Sequence, residues 1–99
     1  TKEQADKSIF LTTTNLLWNL SDAVNELKTK KKIKCLNIRG YFNCSSNFEN
    51  HSSFLNISSD LIIKVLGEKN GFHSRSVLGV NSLPKNSPCE IDGIFGILD

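Results

Sequence analysis

The chain has 99 residues and a formal net charge of +2, so it makes one small domain with a modest core and no charge excess that commits it to nucleic acid. No apolar run approaches the ~18–20 residues a membrane span needs, and no signal-peptide pattern opens the sequence. Cys35, Cys44 and Cys89 are an odd number at wide spacing, matching neither a disulfide framework nor a zinc or CxxC site. These features predict a cytoplasmic protein with no metal and no cofactor.

The first predicted element is a helix from Lys2 to about Lys30. Ile9, Thr13, Leu16, Leu20, Val24 and Leu27 recur at three- and four-residue steps, and Phe10 and Leu17 widen the stripe. Lys28, Lys30, Lys31, Lys32 and Lys34 follow. No aromatic residue interleaves with them, so they read as a helix end and solvated turn rather than a nucleic-acid track. Residues 33–44 alternate as a strand, with Leu36, Ile38, Phe42 and Cys44 on one face and Cys35, Asn37, Arg39, Tyr41 and Asn43 on the other. A Ser/Asn-rich loop over 45–53 should hold His51 at the surface. A second helix is expected from Phe54 or Ser58 to Glu68, capped by Ser58 or Ser59 and ended by Lys69-Asn70-Gly71. Two strands close the chain, 75–80 and 89–97, joined by a turn at Ser82-Leu83-Pro84-Lys85-Asn86. The order α-β-α-β-β gives an α+β class with helices on one face of a small sheet.

Arg75 is one of two arginines against ten lysines. A guanidinium grips a carboxylate through two parallel hydrogen bonds, which an ammonium cannot do. Read as a hairpin, the last two strands would put Arg75 near Glu90 and Asp92. All three would then project, with Asn37, Arg39 and Tyr41, from the face away from the helices. Two uses of that face are open: exposure to water, or burial against other subunits with clefts between them. Two uses of Arg75 are open as well: a ligand anchor, or an ion pair with Glu90 or Asp92. His73 reads as a loop residue that could line the mouth of a cleft.

The block from Ser74 to Pro84, followed by Pro88-Cys89-Glu90-Ile91-Asp92-Gly93-Ile94, resembles the C-terminal signature of the RidA/YjgF/YER057c/UK114 superfamily. Gly40-Tyr41-Phe42-Asn43 with Phe48, and the run Ser58–Glu68, are similar to its YjgF/chorismate mutase-like branch, whose members carry the name "putative endoribonuclease". The resemblance implies a chorismate mutase-like fold, a β-sheet with two helices on one face. It also implies a homotrimer with ligand clefts between subunits, and a single domain over 1–99 without the family's opening β-hairpin, either because those strands lie outside this sequence, which the absence of methionine favours, or because the protein lacks them.

The superfamily's best-known branch hydrolyses 2-imino and 2-enamino acids to 2-keto acids and ammonia. Carried over to this chain, the resemblance makes Arg75 the carboxylate anchor. It makes Glu90, fifteen residues later, the catalytic group that places water. Val77 stands where that branch often has cysteine, Ser59 lies near a position where it has asparagine, and Tyr41 joins the ligand-binding set. Arg39 reads as a private substitution at an interface. Three functions follow: imine or enamine hydrolysis at an intersubunit cleft, non-catalytic binding of a small carboxylate metabolite there, and, more weakly, endoribonuclease activity.

Overall fold

An uninterrupted run without Gly or Pro forms the first helix, α1, Lys2–Glu26. The structure, a computed structural model, describes residues 2–28, 30–45 and 48–98. Ile9 and Thr13 are the two residues of α1 buried in the core, four apart on one face, with Leu17 packed beside them. The helix stops before the lysines, because Lys28 takes a left-handed backbone at φ 53°. Lys30, Lys31 and Lys32 are exposed in the turn. Lys34 donates to the Lys69 carbonyl at 3.0 Å.

The central strand, β1, is Ile33–Asn43. Its pairing slips between Cys35 and Asn37. That bulge corrects the strict alternation expected from the sequence: Cys35 turns inward with Ile38 and Phe42, and Leu36 turns out to solvent. The second helix, α2, is His51–Leu66 and starts earlier than expected, behind Asn50. Ser58 is therefore an interior residue rather than a cap. It is fully buried, and its hydroxyl meets the Thr13 hydroxyl at 2.7 Å. Thr13 in turn donates to the Ile9 carbonyl when it accepts from Ser58, so the helix contact holds a satisfied polar pair. Gly67, at φ 86°, ends α2, and a single turn follows, α3, Glu68–Gly71. A Cβ at Gly71 would lie 2.5 Å from the Ile63 Cα, so only glycine lets this turn fold back on α2.

Strand β2 is Ser74–Val80 and β3 is Cys89–Ile97. The sheet order is β2-β1-β3, with β1–β2 parallel and β1–β3 antiparallel. The expected hairpin of β2 with β3 is thus corrected. Both strands pair with β1, whose inner face is buried along Cys35, Ile38, Gly40 and Phe42 and which takes the centre of the sheet. The crossover α2 supplies the connection that a parallel pair requires. The link from β2 to β3, with a 3₁₀ turn at Pro84–Asn86, spans the end of β1 instead of reversing directly.

The core comprises Ile9, Cys35, Ile38, Phe42, Leu55, Ile62 and Cys89. Leu55 sits over Gly40, where a Cβ would come within 2.8 Å of it. The class is α+β and the fold chorismate mutase-like, with α1 and α2 packed on one face of a three-stranded mixed sheet. Among the described residues, no helix is long and apolar enough to cross a membrane.

Candidate ligand-binding site

Strand register decides which way each candidate points. Arg75 stands opposite Ile38, which is fully buried under the helices. Arg75 therefore faces the helices, not the uncovered side. Its Nη1 donates to the Ser59 hydroxyl of α2 at 3.1 Å, and its Nη2 donates to the Ser52 carbonyl at 3.3 Å. Val77 lies opposite Gly40 on the same face and packs against the core. Glu90 and Leu78 both stand opposite Tyr41, on the uncovered side. The sequence-derived set is thus split: Arg75, Ser59 and Val77 lie on the helix side, and Tyr41 and Glu90 on the other. The expected shared face of Arg75 and Glu90 is corrected, and so is the ion pair of Arg75 with Glu90 or Asp92.

Asp92 is instead paired with Arg39, opposite it in the β1–β3 ladder, at 2.9 Å from Nε to Oδ1. The hydrogen bond from Asp92, reinforced by its charge, raises the Arg39 pKa above the ordinary value. Among the described residues, Arg75 has no carboxylate partner. A half-buried guanidinium that gives one hydrogen bond to a hydroxyl and one to a carbonyl has donors left over, of the kind that suit a carboxylate.

His73 completes the group, although the sequence pattern marks it only as a loop residue that could line the mouth of a cleft. Its Nδ1 is hydrogen-bonded to the Gly71 carbonyl, and its Nε2 lies 2.9 Å from the Ser59 hydroxyl. The available signal was its two-residue spacing from Arg75 at a strand start, which puts both side chains on one face. His51 is likewise relocated: it opens α2, its ring against Phe42 and Phe48 and its Nε2 3.8 Å from the Cys44 thiol.

A cavity of about 660 Å³ is not lined by Arg75. It lies between the first turns of α1 and α2, over Ile9, Phe42, Phe48 and Phe54. Its one cation, Lys2, is tied to Asp6 at 2.9 Å, so an apolar hollow there carries no free positive group for an anion. A second hollow of about 350 Å³ runs along β3 and is bordered by Tyr41, Glu90 and Asp92. Cys35 and Cys89 are buried in the core, and burial raises both thiols, Cys35 to about 11. Among the described residues, no cluster of His, Cys, Asp and Glu could hold a metal ion.

The chain matches no protein-family model. It is 36% identical over 72 residues to Protein TCP17 of Trypanosoma cruzi, a match covering 73% of this chain and 44% of that protein. Its structure superposes on Atu1372 of Agrobacterium tumefaciens, a protein of unknown function, with a TM-score of 0.85, 29% identity, and coverage of 100% of this chain and 61% of that one. A "putative endoribonuclease" of Shewanella oneidensis gives a TM-score of 0.82, 28% identity, and coverage of 99% and 62%. The chain spans less than two thirds of the length of each of these relatives. The likenesses support a YjgF-like superfamily for the whole fold.

Proposed function

We propose that the protein binds a small carboxylate metabolite, of the 2-keto or 2-imino acid class, at a cleft between subunits of a homotrimer. The observation that carries this reading is Arg75: half-buried, oriented by Ser59 and Ser52, and without an acidic partner among the described residues. Within the RidA/YjgF superfamily reading, Arg75 anchors the carboxylate, Ser59 and Val77 line its site, and Glu90 and Tyr41 come from a neighbouring subunit. The split between the two faces is the support for that last step. One chain cannot offer Arg75 and Glu90 to one ligand, whereas the β2 edge of one subunit against the uncovered face of the next can. That face carries Leu36, Leu78 and Ile94, all well exposed in the single chain, and association would take this apolar surface out of water.

Hydrolysis of a 2-imino acid needs little machinery beyond this. Water adds to the imine carbon, the carbon–nitrogen bond breaks, and nitrogen leaves as ammonia, with the anchor and a carboxylate holding the reactants in place. Non-catalytic metabolite binding is the second reading. It is favoured because, among the described residues of one chain, no carboxylate pairs with Arg75.

Calorimetry with 2-ketobutyrate tests the anchor. Loss of a bidentate contact costs about 1.5–3 kcal/mol, so Arg75→Ala should weaken binding roughly ten- to a hundredfold. Arg75→Lys should not restore it, because a point charge does not reproduce the planar fork. Unchanged binding in Arg75→Ala makes that arginine structural. Light scattering should give three times the subunit mass. Semicarbazide trapping of imines generated by an amino-acid oxidase separates the two readings: Glu90→Gln suppresses turnover in the first, and the wild type shows none in the second.

A further inference from the structure

The hydrogen bonds around Ser59 run in one direction only. A carbonyl oxygen carries no proton, so Nδ1 of His73 must be the protonated nitrogen in its contact with Gly71. In a neutral imidazole Nε2 is then an acceptor, and the Ser59 hydroxyl must donate to it. The Ser59 oxygen in turn accepts from Arg75 Nη1. With no anion present, Arg75 is then the one cationic donor to the Ser59 oxygen. An imidazolium would place two cationic donors, His73 and Arg75, on one serine oxygen with no negative charge beside them.

An anion at Arg75 changes this balance. It arrives next to Ser59 and needs donors, yet the single proton of Ser59 is committed to His73. If Ser59 turns its hydroxyl to the anion, the Nε2 lone pair of His73 faces an oxygen lone pair. The conflict disappears if His73 takes one proton from solvent at Nε2. The imidazolium then donates to the Ser59 oxygen, Ser59 donates to the ligand, and the added positive charge is compensated by the ligand's carboxylate.

We propose that His73 is a proton-uptake residue, coupling carboxylate binding at Arg75 to its own protonation through Ser59. The inference rests on the reading of Arg75 as a ligand anchor and adds a positioning residue to it. Where turnover occurs, the loaded His73–Ser59 chain is also a proton donor at hand for the departing ammonia. The elements that meet His73 carry, among other charged groups, Asp60 and Lys64 on α2, Glu68 and Lys69 on α3, and Arg75 on β2. Among the described residues none forms an ion pair with His73, and Arg75 alone is linked to it, through Ser59.

The test is calorimetry of 2-ketobutyrate binding at neutral to mildly alkaline pH, in buffers of different ionisation enthalpy. The slope of observed enthalpy against buffer enthalpy counts protons exchanged with solvent. The wild type should take up a fraction of a proton per ligand, approaching ~1 as the free site is fully neutral. Binding that takes up a proton strengthens as pH falls, by at most about tenfold per pH unit for one proton. His73→Gln should keep keto-acid binding but lose the proton uptake, whereas Ser59→Ala, which also removes a contact to Arg75, should weaken binding and lose the uptake; thermal melts confirm that both variants fold. Binding without uptake in the wild type, or uptake that survives in His73→Gln, overturns the coupling and leaves the anchor intact. No binding of the keto acid by the wild type overturns both.

Discussion

The chain's two arginines sit on adjacent strands of one sheet and have opposite fates. Arg39 is on the uncovered face, about half exposed, and answered by Asp92 directly across the ladder. Arg75 is on the helix side, partly buried, and answered by neutral groups of α2. An ion pair between exposed partners neutralises itself and gains little. A cation held only by a hydroxyl and a carbonyl keeps its charge for something else. The contrast shows that residue type alone does not set what an arginine does in the fold; its local partners do.

The two faces themselves can be compared by substitution. Leu55→Ala empties the core contact beneath Gly40 and should destabilise the protein by about 2–5 kcal/mol. Urea denaturation would show this as a lower midpoint with an unchanged slope. Leu78→Ala, on the uncovered face, should cost no more than about 0.5 kcal/mol in an isolated chain. A cost several times larger that rises with protein concentration would place that face in an oligomer interface.

Alkaline pH probes the helix side further. The Cys35 thiol in the fold keeps its proton to about pH 11, against an ordinary value of 9.0. The unfolded chain loses that proton first, so this contribution to stability is complete below pH 9 and is lost as pH rises toward 11. Thermal midpoints should fall across that window in the wild type and fall less steeply in Cys35→Ala. Under native conditions thiol reagents should modify half-exposed Cys44 well before buried Cys35 and Cys89.

The smallest effect is expected at the Arg39 pair. Arg39→Ala should leave both the denaturant midpoint and 2-ketobutyrate affinity nearly unchanged, and high salt should erase what difference remains. A loss of keto-acid binding comparable to that of Arg75→Ala would undo the contrast between the two arginines.

Periodicity carried the elements. The α1 stripe with Ile9 and Thr13, the strand around Ile38 and Phe42, and the two closing strands follow from spacing, because burying one face of a helix or strand constrains every third, fourth or second residue. The α+β class follows from their order. The motif around Arg75 marked that residue, and its resemblance to a known superfamily gave the fold type.

Spacing could not give register or pairing. The slip between Cys35 and Asn37 exchanged the faces of Cys35 and Leu36. The placing of β1 between β2 and β3 separated Arg75 from Glu90. Alternation says which residues share a face of one strand, but not which face meets the helices or which strand lies alongside. Those depend on how Leu55, Ile62 and Ile9 pack over the sheet, contacts between residues far apart in the chain. The same packing brought His73 to Ser59 and Ser59 to Arg75, so the group that makes the site chemically distinctive exists only once α2 has crossed from β1 to β2.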